Sequence, residues 1–190
     1  MDSWSTDPRQ GILVLLPFLA KGALSLSVMR AMRDRGLDVH VAFYIRGGGG
    51  YTPDPADDLT SEGRLIDMST NQDATDVGKL NDIICQRHIG LVVQIGSPFA
   101  YHQLPYLKER QPGLRVIDVL YNRVGHTLNH FLYEACFDGV IVESLDMKSY
   151  MLTNTSNSAV VVHLVESGID LTQFIPLSDA LQKSGEFSVG

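Results

Sequence analysis

Short, nearly continuous apolar runs recur along this chain, and each is followed within a few residues by a stretch patterned like a helix. The runs read "GILVLLPF", "DVHVAFYI", "GLVVQIG", "LRVIDVLY", "DGVIVES" and "AVVVHLV", with a shorter "RLIDM" between the second and third. A run of this length without polar alternation is the pattern of a strand buried on both faces. Strands of that kind need helices on each side, so alternation with helices and short connections predicts parallel pairing and right-handed crossovers. The expected fold is a doubly wound, Rossmann-like α/β domain.

The intervening segments fit. In "KGALSLSVMRAMRDRG" the residues Leu24, Val28 and Met32 recur every fourth position, Arg30 and Arg33 fall on the other side, and Gly36 supplies a stop. "ATDVGKLNDIICQRHI", "TLNHFLYEACF" and "LDMKSYMLT" read as further helices, and "FAYHQLPYLKER" as a helix interrupted or bent near Pro105. The run Gly47 to Gly50 leads to Tyr51, Thr52 and Pro53 rather than to a helix, which makes it a surface loop and not a phosphate cradle.

With 190 residues the chain suffices for one domain with a sizeable core. Its net charge of -7 repels phosphate backbones and argues against nucleic acid as the partner. Cys85 and Cys136 stand far apart with no CxxC spacing, as expected of two reduced thiols. The polar start "MDSWSTDPRQ" has no signal-peptide pattern, and no apolar run approaches the length that spans a bilayer. A cytoplasmic protein is expected, with room for peripheral membrane contact.

In open parallel sheets ligands bind outside the carboxyl ends of the strands, which selects the residues just after each run. These are Pro17 to Gly22, Gly96 with Ser97, Tyr121 to His126, and Glu143 with Ser144. After the first run stands "PFLAKG", which lacks the GxGxxG of dinucleotide enzymes. Gly22 lets a ligand approach a helix start and Lys21 brings charge, or the pair is simply a tight turn with an exposed lysine. Ser144 stands where a helix N-cap stands, and capping outweighs ligand binding there. No GxSxG elbow accompanies Ser97.

"GHTLNHFLYE" places His126, His130 and Glu134 four residues apart, one helical face that could offer a metal three ligands. The glutamate of HExxH is absent and no further ligand group is evident, so the preferred assignment has no metal. His126 then faces the crevice at a helix start, while His130 and Glu134 are surface or interhelix polar residues.

Three segments, "LPFLAKGALSLSVMRAMRDRGLDVHVAF", "DGVIVESLDMKSYML" and "VVVHLVESGIDLTQFIP", resemble the N-terminal domain of the family-4 retaining glycosyltransferases. That family shows a glycine after the first strand, an RGH-V pattern, a late VSE element and an NGVD...F.P crossing. The matching positions here are Gly22, Arg35-Gly36-Leu37-Asp38-Val39, Val142-Glu143-Ser144, and Ser167-Gly168-Ile169-Asp170 with Phe174 and Pro176. The family's His-Asp pair after the fifth strand is replaced by "YNRVGHT", where Asn122 and His126 are the available substitutes.

The resemblance implies the N-terminal half of a two-domain GT-B fold, with residues 1–176 as the acceptor-side domain and 177–190 as linker and opening of a donor-binding domain. It implies sugar transfer from a nucleotide-sugar donor to a hydroxyl of a sugar or lipid-linked acceptor, with retention and with no cofactor. In that scheme His126 is the catalytic or orienting residue, and Lys21, Gly22, Ser97, Asn122, Glu143 and Ser144 line the substrate site. The rival is a non-catalytic Rossmann-like module that binds a small ligand or a protein.

Overall fold

The computed structural model describes residues 10–19, 24–45, 62–69 and 77–166. In chain order these form β1 (Gly11–Phe18), α1 (Leu24–Asp34), β2 (Val39–Ile45), β3 (Leu65–Asp67), α2 (Val77–Gln86), β4 (Ile89–Gln94), α3 (Pro98–Arg110), β5 (Arg115–Leu120), α4 (His126–Leu132), a 3-10 turn (Glu134–Cys136), β6 (Gly139–Val142), α5 (Leu145–Asn154) and β7 (Val161–Leu164). The strands make one sheet in the order β3-β2-β1-β4-β5-β6-β7, and every neighbouring pair is parallel. The chain is a doubly wound Rossmann-like α/β domain, as its alternation predicts.

Successive side chains of a strand point to opposite faces, and here they feed two separate cores. Leu13 and Leu15 of β1 join Val92, Val116 and Val140 on the face covered by Leu80 and Ile84 of α2, Leu104 and Leu107 of α3, and Met147 and Met151 of α5. Ile12, Val14 and Leu16 point the other way, with Val39, Val41 and Phe43 of β2 and Met29 of α1. A strand buried on both sides cannot slip by one residue without exchanging its two cores, so the register is strongly fixed.

Three local expectations are corrected. The four-residue spacing puts Val28 on the packed face of α1, yet it is 49% exposed while Met29 is buried and Met32 packs beside it; the buried stripe follows the three-residue step instead of the four. Helix α3 is not interrupted at Pro105 but runs through it to Arg110. A proline removes one helical N–H, so the Tyr101 carbonyl loses its usual donor, yet the helix continues with the Pro105 ring on an exposed position. The segment from Thr127 to Phe137 is not one helix, for α4 stops at Leu132 and a 3-10 turn follows.

Beside the core, Asp138 accepts hydrogen bonds from Lys108 Nζ (2.9 Å) and the Val116 amide (2.8 Å), tying the end of α3 to the start of β5 and β6. Both cysteines are free, Cys85 exposed and Cys136 buried. Among the described residues no helix is long and apolar enough to cross a membrane.

Candidate functional site at the sheet crevice

Strand order reverses between β1 and β4, so the chain leaving β1 and the chain leaving β4 depart toward opposite sides and open a crevice at their carboxyl ends. The Ile95 amide still donates to the Leu15 carbonyl at 3.0 Å, and the two strands part beyond that bond. The next residue, Gly96, has φ +67, which L side chains rarely adopt. A Cβ there would also lie 2.6 Å from His126 Cδ2 and 2.8 Å from His126 Nε2. The His126 ring therefore rests on Gly96, and only glycine leaves it room.

His126 is brought there by a tight turn after β5. Asn122 Oδ1 accepts from the Val124 amide at 3.0 Å, and the Asn122 carbonyl accepts from the hydroxyl of buried Thr127. Gly125 then adopts φ +64 and starts α4. His126 itself remains exposed. Asn122 thus shapes the loop that carries the histidine, an Asx turn of the ordinary kind.

The other predicted residues have varied fates. Ser97 is fully buried and stands at the N-cap of α3, but its hydroxyl has no hydrogen-bond partner among the described residues. Its carbonyl accepts from Gln94 Nε2 at 2.6 Å. Ser144 caps α5, its Oγ accepting from the Met147 amide at 3.2 Å. Glu143 is half-buried at the end of β6; burial and the Glu143 charge together push the Tyr121 phenol above its usual range. Lys21 and Gly22 lie outside the described residues, as does the Ser167–Pro176 crossing.

Behind the crevice lies a buried polar cluster that the sequence reading missed. Gln94 and Asp118 face each other in register on β4 and β5, and both are fully buried. Asp118 Oδ2 accepts from the Tyr101 hydroxyl of α3 at 2.8 Å and lies 2.9 Å from His130 Nδ1 of α4. Its Oδ1 accepts from the Val119 amide at 3.0 Å. Burial pushes the Asp118 carboxyl above the ordinary carboxylate range, against the opposing pull of His130 and Tyr101. Burial, followed by the Asp118 charge, pushes the Tyr101 phenol far up. The His130 ring stacks on Phe137 with centroids 4.7 Å apart, and its Nε2 is buried with no hydrogen-bond partner among the described residues.

His130 and Glu134 are therefore not surface residues. His130 is wholly buried against Asp118, and Glu134 is 7% exposed. Because α4 ends at Leu132, Glu134 leaves the helical face it was expected to share with the two histidines. It folds over the loop after α5, accepting from the Ser156 amide at 2.9 Å and from the hydroxyls of Ser156 and Thr155. The three candidate metal ligands point to three separate partners, and among the described residues no group of three such side chains converges. The available sequence signal for the buried cluster was a charged or amide residue inside each of two apolar runs, Asp118 in "LRVIDVLY" and Gln94 in "GLVVQIG".

No protein-family model and no curated protein sequence matches this chain. Among solved structures it is similar to the crystal structure of a short-chain dehydrogenase/reductase from Burkholderia vietnamiensis, at 13% identity and a TM-score of 0.33, with 95% of this chain and 98% of that one covered.

Proposed function

We propose that this chain is the acceptor-side domain of a retaining glycosyltransferase of the GT-B kind, located in the cytoplasm. What supports the reading is the resemblance of its motifs to that family together with one geometric observation: an exposed histidine, His126, held on Gly96 at the switch-point crevice. In that place His126 would orient an acceptor hydroxyl or the transferred sugar by a hydrogen bond, and the Asn122 turn would hold it there. Retention of configuration would be set by the donor-holding domain, with Lys21 and Gly22 approaching the departing diphosphate from this side. Closure of the two domains would exclude water and suppress hydrolysis.

Amide-resolved NMR on the purified chain tests the reading. Titration with free sugars, polyols and the nucleotide-sugars UDP-glucose and GDP-mannose is expected to shift Gly96, Asn122 and His126 with saturable binding of a hydroxyl compound. Transfer by this chain alone is expected to be undetectable, since the donor would be held mainly by the second domain. Loss of the reading follows from no response to any hydroxyl compound, or from turnover by the chain without a second domain.

A further inference from the structure

We infer that the amino end of α3 is a phosphate-binding subsite whose donors are the Ser97 hydroxyl and the amides of Phe99 and Ala100. The helix is 13 residues long, has no acidic residue in its first turn and carries Pro98 at its first positions. Its first internal bond is from the Tyr101 amide to the Ser97 carbonyl at 3.3 Å. Pro98 has no N–H, so the donors left over at this end are Phe99 and Ala100, and neither is bonded among the described residues.

A serine at the N-cap ordinarily satisfies one of these amides with its own oxygen. Ser97 has the extended backbone of a cap, φ -82 and ψ 112, yet makes no such bond. Its Oγ is buried and unpartnered, and Ala100 beside it is also fully buried. Water reaches neither group. Buried donors without acceptors are uncommon because each forfeits its hydrogen bond to solvent. This pair sits at the positive end of a helix dipole, where an anion is favoured.

The chemistry missing from this end is an acceptor with several oxygens and negative charge. Ser97 already gives its carbonyl to Gln94 and Tyr101, so the end offers donors and little else. A tetrahedral phosphate can take the two amides and the hydroxyl on different oxygens. The His126 ring lies on Gly96, the residue just before Ser97. That side chain is exposed and can rotate aside or turn a ring N–H toward the bound group. Two sources share this chemistry: the phosphate of a phosphorylated acceptor and the diphosphate of a nucleotide donor.

Phosphate binding at this end stands independently of sugar transfer, while its assignment to acceptor or donor rests on that reading, and the test uses inorganic phosphate, glucose 6-phosphate and UDP at matched ionic strength. Amide-resolved NMR of the whole chain is expected to show saturable shifts at Phe99 and Ala100 with phosphate. Ser97→Ala is expected to weaken that binding by about fivefold or more, the effect of one lost hydrogen bond to a charged group. Its thermal midpoint should hold or rise, because the hydroxyl has no partner to lose. Tighter binding of glucose 6-phosphate assigns the site to an acceptor, and tighter binding of UDP to a donor. No saturable shift with any of the three overturns the proposal. So does a Ser97→Ala variant that melts earlier while binding phosphate unchanged, since that is the behaviour of a plain helix cap. Phosphate binding in a protein that fails every sugar-binding test would remove the transfer reading and leave this one.

Discussion

Helix α4 carries two histidines one turn apart, and they live in opposite surroundings. His126 is exposed and lies on a bare glycine at the crevice. His130 is wholly enclosed, bonded to Asp118 and stacked on Phe137. What separates them is the strand beneath each. The end of β4 offers Gly96, which has no side chain to engage the ring, whereas the middle of β5 offers a buried carboxylate. Spacing along a helix places residues on one face, but the partner across the interface decides whether that face is a site or a core.

The comparison suggests that the buried histidine holds the helix and the exposed one is free to act. Its sharpest test is Asp118→Ala. This removes the shared acceptor of Tyr101 and His130, leaving His130 Nδ1 buried and unpaired and Tyr101 with Gln94 alone. Breaking a buried, hydrogen-bonded pair in this way costs about 3–5 kcal/mol, and denaturant unfolding should report a loss of that size. Asp118→Asn keeps an acceptor in place and should cost clearly less. A loss for Asp118→Ala under about 1 kcal/mol, the scale of a surface change, would mean that the cluster does not anchor α4.

Glu134 gives the next effect in size, and its sign depends on pH. Burial alone would raise its carboxyl, but hydrogen bonds from Ser156 and Asn157 outweigh burial and hold it below the ordinary range. A folded-state pKa below the unfolded one means stability that is present above the unfolded value and is lost as pH falls through the folded value. Glu134→Gln should therefore cost about 1–2 kcal/mol at neutral pH. The gap between variant and parent should close as pH drops below about 4, the range where free glutamate protonates. A gap that persists unchanged at acid pH would show that packing, not charge, is what Glu134 contributes.

How much of this was legible in the sequence follows from the physics of each signal. A strand buried on both faces must be apolar almost throughout, so β1, β2 and β4 to β7 stand out as runs, and their alternation with helices limits the topology. Which face of a helix packs depends on its crossing over the sheet, and so Met29 and not Val28 fills the gap under α1. The crevice residues were found by a rule about strand ends, and that rule reached Gly96, Ser97 and His126. It had no means of reaching the Asp118–His130 pair, because a bond between β5 and α4 is a tertiary fact. Pro105 is a related case: whether a proline ends a helix or is carried within it depends on the packing around it, and α3 runs through to Arg110.

The smallest expected change in stability, and the one that completes the comparison, comes from His126→Ala. An exposed ring whose neighbour is a glycine leaves no buried partner behind when it is removed, so unfolding should move by no more than about 0.5 kcal/mol. If His126 orients the reacting sugar or the acceptor, the rate of transfer measured with the donor-binding domain present should fall by roughly tenfold, equivalent to about 1.4 kcal/mol of transition-state stabilisation. Gly96→Val probes the same contact from the other side. A side chain there must displace the ring and accept φ +67, at a cost of about 1–3 kcal/mol for the backbone alone. The two variants should share a rate defect while differing in stability. A His126→Ala protein that is destabilised by more than about 1 kcal/mol and works normally when folded would place the functional histidine elsewhere and make His126 a second structural one.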